Sequence, residues 1–455
     1  MAELADALGS GPSGSKIPWR FKSSPGHHLS PRCDEPLVAR SPRAKHGSST
    51  RALIYIAPLL AAPMTLRSEE NANVALPQPG EIKPLTIGPM EVFPPVVLAP
   101  MAGITNAPFR SLCRKFSDDR CLYVSEMITA RAFIEKHERT LQLASFGKDE
   151  TNRRSIQLYG TNPETLAEAT KTLVTEWGVH HIDMNFGCPV RKVTASGGGS
   201  AIPVKPRLLQ KIVRSVVASA GDVPVTIKFR KGIDDSLLTY LDAGRIGEGE
   251  GARAVALHAR TAAQLYSGEA DWSAITTLKE HVKTIPVLGN GDIFEPWDAL
   301  RMIRETGCDG VVVGRGCLGR PWLFAELCAA LTGEEPPAPP DLGGVVDTIL
   351  QHASLLADFF GEKHGLMQIR KFTGWYLKGF AGTKRKLPKL HMVNTLEELH
   401  ELLSDLPRDI PYPIAGLRAR RCKHGKTQTV SLPEGFLEAD DDDLVIEDPE
   451  HVDGG

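Results

Sequence analysis

The chain has 455 residues, of which 42% are hydrophobic and 24% are charged, and its formal net charge is −2. These fractions are ordinary for a soluble globular protein with a large core, and the charge excludes a global basic field of the kind that attracts nucleic acid. Any RNA contact would therefore come from local patches. The eight cysteines include no C-x-x-C pair, which argues against a zinc or iron–sulfur centre and a disulfide scaffold and suits a reducing cytoplasm.

The beginning of the chain shows neither helical nor strand periodicity. It is rich in Gly, Ser, Pro, Arg and His, and we expect residues 1–80 to form a disordered, dispensable extension, with Met64 as an alternative start. The apolar run 52–64 is interrupted by Pro58 and Pro63 and is too short to cross a bilayer. The sequence therefore predicts no membrane segment.

From Pro94 onward, short apolar runs recur about every thirty residues, each followed by a loop and a helix pattern that often begins with proline. Strands alternating with helices predict a parallel sheet, and eight such units predict an α/β fold, a closed (β/α)8 TIM barrel over residues 90–330. A doubly wound open sheet is the alternative, but it would need fewer strands and a phosphate loop after the first one. The predicted strands are 96–99, 122–125, 155–159, 181–185, 225–229, 254–258, 287–289 and 310–313.

Strand patterns end after Pro321, and a proline-rich linker follows. Beyond it we predict a small all-helical domain over residues 341–410. Residues 411–455 carry a basic cluster and then the acidic run 440–443, and we expect them to form a flexible tail. The helix patterns of the small domain lie at 345–362, 366–380 and 395–403.

Polar residues and glycines mark the ends of the predicted strands. In a TIM barrel the carboxyl ends of the strands form one rim, where functional groups gather. Gln157 or His258 alone could be a hydrogen-bonded core residue, but many strands that each bring such a group to one rim favour a site. The residues at these ends are Pro100, Met101, Ala102, Gly103, Gln157, Asn185, Lys228, Arg230, His258, Arg260, Asn290, Gly291, Asp292, Gly314, Arg315 and Gly316.

The fourth predicted strand runs into the stretch 183–189, Asp-Met-Asn-Phe-Gly-Cys-Pro. Its glycine and proline force a turn that presents Asn185 and Cys188 together. The loop 196–200, Ser-Gly-Gly-Gly-Ser, is nearly free of side chains and could lie over whatever Cys188 faces. A lone cysteine is more often packed in a core than reactive. Its place at this rim favours a function, and a neutral thiol suits a proton donor better than a nucleophile.

Glycine-rich loops follow the seventh and eighth predicted strands, the usual position of a phosphate site in this fold. Gly314, Gly316 and Gly319 match the dinucleotide pattern G-x-G-x-x-G, but they follow the last strand. We therefore interpret them as a phosphate grip with Arg315 supplying charge. A phosphate there, a nearby lysine and glutamine, and the apolar loop after the first strand together describe a flavin mononucleotide (FMN) site.

Several motifs, in this order, resemble those of the tRNA-dihydrouridine synthases, most of all their bacterial DusB-like branch. The resemblance covers roughly residues 94–380 and implies an FMN-bearing barrel followed by a helical RNA-binding domain. The N-terminal extension and the acidic tail depart from the family pattern. The motifs lie at 99–106 (Ala-Pro-Met-Ala-Gly-Ile-Thr-Asn), 157–160 (Gln-Leu-Tyr-Gly), 183–189, 258–260 (His-Ala-Arg), 289–293 (Gly-Asn-Gly-Asp-Ile), 313–316 (Val-Gly-Arg-Gly), 370–372 and 375–377.

The resemblance also implies roles for individual residues, and it implies no metal. His258 would lie beside the flavin, Asn185 and Arg260 would contact the substrate, and Cys188 would be the general acid. FMN would be held by Pro100, Met101, Ala102, Gln157, Lys228, Asn290, Gly291, Asp292, Gly314 and Arg315. RNA would be bound by Arg191, Lys192, Lys231, Arg370, Lys371 and the run 384–386.

The implied reaction reduces the C5–C6 double bond of particular uridines in tRNA. NADPH would reduce the flavin, hydride would pass from N5 of FMN to C6, and Cys188 would protonate C5, after the uracil had swung out of the folded RNA. We expect a cytoplasmic monomer without a stable protein partner. Two alternatives remain: a reductase of free pyrimidines, which needs no helical docking domain, and a tRNA-binding protein whose catalysis is incidental.

Overall fold

A short antiparallel hairpin precedes the main sheet in the structure, a computed structural model in which residues 66–421 and 425–438 are described. Its strands are β1 (Leu85–Ile87) and β2 (Met90–Val92). Their buried side chains pack with Val97 and Ala254, which lie near the starts of two later strands. The hairpin therefore closes the amino-terminal end of the sheet, and the opposite end is left for a site.

Eight parallel strands form a closed barrel, in which each strand pairs with the next one in the chain and the last pairs with the first. All eight predicted runs are barrel strands, so the predicted TIM barrel is confirmed. The two small hairpins were not predicted. The strands are β3 (Val96–Leu98), β4 (Leu122–Thr129), β5 (Ser155–Tyr159), β6 (His181–Phe186), β7 (Val225–Arg230), then, after the hairpin β8 (Gly232–Asp234) and β9 (Leu237–Leu238), β10 (Ala254–His258), β11 (Val287–Asn290) and β12 (Gly310–Val313).

Helices alternate with these strands and cover the outside of the barrel. The strands read as almost continuous apolar runs because one face meets helices and the other fills the barrel. No helix in the described ranges has the length and apolarity that a membrane crossing needs. The helices are α1 (Ala107–Ser117), α2 (Ala130–Ile134), α3 (Glu138–Ala144), α4 (Pro163–Thr175), α5 (Arg191–Thr194), α6 (Pro206–Ala220), α7 (Tyr240–Gly249), α8 (Ser273–His281), α9 (Pro296–Thr306) and α10 (Leu323–Leu331).

The predicted helical region after the barrel is also present. It shares a hydrophobic core with the barrel rather than forming a separate one. The ring of Phe109 in α1 lies 5.5 Å from the ring of His352 and 5.7 Å from that of Phe372, centre to centre. Its helices are α11 (Leu342–Phe360), α12 (Glu362–Tyr376), α13 (Leu387–Leu390) and α14 (Leu396–Ser404).

The segment before the first hairpin is folded, although the sequence predicts disorder up to residue 80. Asn71 is buried, and its Nδ2 donates to Asp298 Oδ1 at 2.9 Å. Ser68 N also donates to Glu295 Oε2 at 2.9 Å, so residues 66–80 are anchored on the barrel, which corrects the expectation for them. Residues 1–65, with the proposed start at Met64, lie outside the described residues.

The first part of the predicted tail is folded as well. Arg421, from the basic cluster that we expected to be solvated, is buried, and its Nη2 donates to Tyr412 Oη at 2.8 Å. The expectation of a flexible tail is therefore corrected for residues 411–421 and 425–438. The acidic run 440–443 lies outside the described residues.

Candidate active site

The strand register brings the predicted site residues together at the carboxyl-terminal end of the barrel. Arg230, His258 and Asn290 are paired across β7, β10 and β11. Asn185 and Lys228 are paired across β6 and β7, one level deeper. Side chains two residues apart on a strand share a face, and Lys228 lines the barrel interior. All five side chains therefore belong to the mouth of the barrel.

The turn after β6 is held by bonds to its backbone. Asn185 Oδ1 accepts from the backbone nitrogens of Gly187 at 3.1 Å and Cys188 at 2.9 Å. Ser200 N donates to Cys188 O at 3.0 Å, and a Cβ on Gly199 would lie only 2.5 Å from that oxygen. The glycine-rich loop thus packs against the backbone of Cys188, which requires glycine there.

Cys188 is partly exposed as a residue, whereas the other cysteines in the described ranges are buried. Burial raises the pKa of the Cys188 thiol, and the backbone N–H of Val190 and the charge of Arg230 lower it less. The thiol is therefore neutral at pH 7, the state that a proton donor needs. No group of three or more His, Cys, Asp or Glu in the described residues is arranged to hold a metal ion.

A chain of hydrogen bonds runs from the turn into the barrel. Asn185 Nδ2 donates to Gln157 Oε1 at 2.9 Å, and Gln157 Nε2 donates to Asp183 Oδ2 at 2.7 Å. Thr226 Oγ1 donates to the other oxygen of Asp183 at 2.6 Å. Asp183 was given no role from the sequence, although a carboxylate inside a buried strand was an available signal. The chain fixes the orientation of both predicted amide side chains.

Lys228 and Asp183 lie close enough to influence each other's charge. Burial lowers the pKa of Lys228 to about 8, with Arg230 lowering it further and Asp183 raising it. Burial raises the pKa of Asp183 to about 6. Both residues line an interior cavity together with Pro100, the first residue of the loop after β3. A lysine that gives up its proton easily thus lies beside the apolar loop.

Three arginines surround the neighbouring part of the mouth. The carboxylate of Asp292 accepts from Arg260 Nη2 at 2.6 Å and from Arg315 Nη2 at 3.0 Å. Arg230 Cζ lies 5.6 Å and Arg315 Cζ 4.5 Å from the centre of the Tyr266 ring. The buried Nη1 of Arg260 has no hydrogen-bond partner within the described residues.

Arg230, Arg260 and Arg315 form an arginine pocket in which positive charges are clustered. Burial lowers the pKa of His258, and so do Lys228 and the three arginines, so this histidine is neutral. Burial also lowers the pKa of Arg230 to about 10. Clustered positive charge and the buried Nη1 of Arg260, which has no partner among the described residues, fit an anion such as a phosphate.

The loop after β3 is clamped from two sides. Glu126 Oε2 in β4 accepts from Gly103 N at 2.7 Å, and Lys371 Nζ in α12 donates to Gly103 O. Burial raises the pKa of Glu126 and lowers the pKa of Lys371 to about 8. Residues 100–102 remain partly exposed to the mouth. Glu126 was missed from the sequence. Lys371, predicted as an RNA contact, bonds to Gly103 within the protein, and its contact with RNA stays a prediction.

Two other predicted contact residues also bond within the protein. Arg370 Nη2 donates to Asn394 Oδ1 at 2.8 Å and fastens α12 to the segment before α14, and its contact with RNA stays a prediction. Asn290 Nδ2 donates to Val312 O at 2.7 Å and ties β11 to β12. Because Asn290 lies at the level of His258 in the mouth, its contact with FMN stays a prediction.

The G-x-G-x-x-G match is mainly a packing feature. A Cβ on Gly316 would lie 2.1 Å from Ile293 O, so the two segments touch. Gly319 has a φ of 63°, and a Cβ there would lie 2.4 Å from the carbonyl carbon of Trp375 in α12. Gly316 thus packs on the loop after β11 and Gly319 packs on α12. Gly314 is then the glycine of the pattern that is left for the predicted phosphate site.

Comparisons with known proteins show which family this chain resembles. A family model described as "Dihydrouridine synthase (Dus)" matches residues 97–410. A "Probable tRNA-dihydrouridine synthase" of Mycobacterium tuberculosis (strain CDC 1551 / Oshkosh) is 54% identical over 378 residues, which is 82% of this chain and 97% of that protein. The "tRNA-dihydrouridine synthase B" of Pseudomonas aeruginosa is 41% identical over 300 residues, which is 66% of this chain and 88% of that protein.

Solved structures give only a distant likeness. Histamine dehydrogenase from Rhizobium sp. 4-9 has a TM-score of 0.42 at 14% identity, covering 60% of this chain and 50% of that one. The structure described as "TcOYE with pHBA" has a TM-score of 0.41 at 10% identity, covering 56% of this chain and 94% of that one. The family model and the 54% identical relative show that the chain belongs to the dihydrouridine synthase family.

Proposed function

We propose that this chain is a flavin-dependent tRNA-dihydrouridine synthase, an oxidoreductase that uses FMN and NADPH to reduce the C5–C6 bond of uridines in tRNA. One observation carries the proposal: Cys188, a partly exposed residue with a neutral thiol, and the arginine pocket lie at the same end of one barrel. The names of the relatives support tRNA as the substrate. We also propose a cytoplasmic monomer.

The residues of the mouth suit the two ends of FMN. Arg315 and the unpaired N–H of Arg260 would bind the phosphate, and the arginine pocket would supply clustered positive charge to it. Lys228 and Gln157 would donate to the polar edge of the ring system, against the apolar loop at 100–102. When bound, FMN supplies the hydride that reduces C6, after it has taken electrons from NADPH.

Cys188 delivers the proton. Its S–H bond breaks as the C5–H bond of the pyrimidine forms, and the thiolate that remains is stabilised by the charge of Arg230 and by the N–H of Val190. A proton from solvent restores the thiol. Asn185 holds the backbone of this turn through its side-chain oxygen, and its contact with the uracil remains part of the proposal.

A uracil inside folded tRNA must leave its stack to reach the mouth. Arg191 and Lys192 are exposed on α5, directly after the Cys188 turn, and Lys384 and Arg385 are exposed on the helical region. These four side chains suit contacts with RNA phosphates. Lys231, also predicted for RNA, forms an ion pair with Asp271 at 2.7 Å and contributes less charge to such a surface.

The proposal is tested with the purified full-length protein. Flavin absorbance and chromatography of the released cofactor identify FMN. Unmodified tRNA transcripts are then incubated with NADPH, and dihydrouridine is quantified and located by mass spectrometry, with free uridine and orotate as parallel substrates. Turnover of a free pyrimidine as fast as tRNA would favour the small-molecule reductase. Binding of tRNA without flavin or dihydrouridine would favour the binding protein.

A further inference from the structure

The C-terminal segment, defined here as residues 425–438, lies outside the range matched by the family model and contacts two loops of the barrel mouth. Gln428 makes these contacts. Its backbone N donates to Ala263 O at 2.9 Å. Its side-chain Nε2 donates to Pro189 O at 2.7 Å and to Ala262 O at 3.1 Å. Both side-chain N–H groups are thus used, one on the loop after β6 and one on the loop after β10.

Pro189 directly follows Cys188, so this bond reaches the turn that carries the thiol. Three successive carbonyl oxygens of the turn each have a donor from elsewhere in the chain. Gly187 O accepts from Arg230 Nε at 2.9 Å, and Cys188 O accepts from Ser200 N at 3.0 Å. Pro189 O accepts from Gln428. The first two donors belong to the barrel domain, and the third comes from the C-terminal segment.

A second anchor fixes the other end of the C-terminal segment. Phe436 is 1% exposed, and Lys205 Nζ lies 5.3 Å from the centre of its ring. Lys205 directly follows the 3₁₀ helix Gly199–Val204, whose first residue packs against the carbonyl of Cys188. The C-terminal segment therefore has two anchors near the turn. Gln428 bonds Pro189 of the turn itself, and Phe436 lies beside Lys205, which follows the short helix that packs on the turn.

We propose that Gln428 is a positioning residue for Cys188. Its amide group bonds both Pro189 O and Ala262 O. It thereby holds the turn that carries the thiol at a fixed distance from the loop after β10, which contains Arg260 of the arginine pocket. This inference deepens the proposed function and rests on it, because it takes Cys188 as the proton donor. It makes the C-terminal segment part of the reactive unit, although the family range ends at residue 410.

The test compares Gln428→Met with Thr429→Val in the full-length, flavin-loaded protein. Methionine has a similar length but no N–H group, and Thr429 is an exposed neighbour in the same segment. For Gln428→Met we expect kcat for dihydrouridine formation to fall about tenfold, with KM for tRNA and the rate of flavin reduction by NADPH within about twofold of wild type. Thr429→Val should match wild type.

Two outcomes of these kinetics would overturn the proposal. One is a wild-type kcat for Gln428→Met. The other is an equal slowing of flavin reduction and dihydrouridine formation together with loss of flavin, because a general loosening of the fold affects both half-reactions. A positioning role affects only the step that uses the thiol.

A second readout does not depend on the reaction. Deuterium uptake by the peptide that contains residues 185–193, and alkylation of Cys188 by iodoacetamide located by mass spectrometry, report the order of the turn. We expect both to increase about threefold or more in Gln428→Met and not in Thr429→Val, since a turn that loses one of its carbonyl bonds opens more often. Unchanged values would refute the positioning role. If wild-type protein formed no dihydrouridine, the proposed function would fail while this readout would still decide whether Gln428 orders the turn.

Discussion

The barrel mouth and the helical region both carry basic residues, but the two regions hold them differently. Arg230 and Arg260 at the mouth are buried and bonded to carbonyl groups and to Asp292. Lys384 and Arg385 in the helical region are exposed. A buried charge is tolerated only with defined partners, whereas an exposed one is satisfied by water. This difference supports our proposal that the mouth binds one anion in one place and that the helical surface meets the diffuse charge of an RNA backbone.

Lys371 is an exception to this contrast between buried basic residues at the mouth and exposed ones in the helical region. It belongs to the helical region by sequence, but its ammonium group lies in the wall of the mouth, on Gly103 O beside Glu126. The helical region thus supports the loop after β3 in addition to offering a surface. Variants in the two regions should separate these roles, because changes at the mouth alter chemistry and flavin binding, and changes on the helical surface alter tRNA affinity.

Cys188→Ala should have the largest effect and should act on chemistry alone. Loss of a positioned general acid lowers rates by about 10²–10⁴, so we expect that fall in dihydrouridine formation, with flavin content and tRNA affinity unchanged. Single-turnover mixing of reduced enzyme with tRNA measures it. Cys308→Ala, at a buried thiol that has no place at the mouth, is the control. Wild-type turnover by Cys188→Ala would mean that the proton comes from another group.

Arg315→Met should weaken flavin binding. It removes a charged donor from the arginine pocket, and a charge-assisted hydrogen bond contributes about 1.5–3 kcal/mol, so we expect the Kd for FMN to rise about 10–100-fold. Flavin occupancy after purification and fluorescence titration measure this change. Arg301→Met, at a surface ion pair with Glu305, should retain its flavin. If Arg315→Met and Arg301→Met bound FMN with equal affinity, the assignment of the FMN phosphate to the arginine pocket would be wrong.

Lys371→Met tests the residue that joins the two regions. Gly103 O would lose a donor and the buried Glu126 a balancing charge, so we expect the free energy of unfolding to fall by about 1–3 kcal/mol. Chemical denaturation measures it. Arg385→Met should leave stability unchanged and raise KM for tRNA. If Lys371→Met changed only KM for tRNA, the assignment of Lys371 to RNA that the sequence suggested would stand.

The barrel and its rim could be predicted because the fold links position in the chain to position in space. A residue that ends a parallel barrel strand must lie at the mouth, so Arg230, His258 and Asn290 were placed together without knowledge of any contact. The same rule placed Cys188. The same geometry places the carboxylate of Asp183 two levels below the rim, inside the barrel. It was missed because a polar residue inside a strand is usually a hydrogen-bonded core residue.

Contacts between distant segments could not be predicted in this way. Lys371 reaches Gly103, and Gln428 reaches Pro189, only because of how α12 and the C-terminal segment pack. No periodicity encodes that packing. Arg421 illustrates the same difficulty: a run of basic residues is typical of a solvated tail, yet this guanidinium is buried against Tyr412. Sequence pattern indicates which face is apolar, not which partner covers a polar group.

Each region also contains a buried neutral histidine, and these two should make stability depend on pH. Burial lowers the pKa of His181 in the barrel and of His352 in the helical region to about 3. An unfolded histidine binds a proton near pH 6.5, so the unfolded state takes up more protons below that pH. The free energy of unfolding should fall as the pH drops from 6.5 toward 3, by about 1.4 kcal/mol per pH unit for each histidine.

The two histidines differ in their hydrogen bonds, so replacing each of them should change the free energy of unfolding by a different amount. Nδ1 of His181 lies 2.7 Å from Ser155 Oγ and Nε2 lies 2.9 Å from Thr226 Oγ1. Nδ1 of His352 lies 3.1 Å from Tyr376 Oη, while its Nε2 has no partner among the described residues. We expect His352→Phe to weaken the acid dependence and to lose less stability at pH 7 than His181→Phe, because it breaks one hydrogen bond, to the buried Tyr376 hydroxyl, whereas His181→Phe breaks two. Urea unfolding at pH 7 and pH 5 distinguishes them, and equal losses at pH 7 would contradict the difference.

The exposed pair of the helical region should give the smallest effect. Lys384 and Arg385 lie in the 3₁₀ helix Thr383–Lys386. If both contact RNA phosphates, Lys384→Gln with Arg385→Gln should raise the Kd for tRNA a few-fold at low salt and reduce the slope of log K against log salt by about 1.4–1.8, since each phosphate contact contributes roughly 0.7–0.9. Arg214→Gln, which removes an exposed charge on α6, is the control. An equal change in the control would mean that tRNA senses only the net charge of the protein and not this surface.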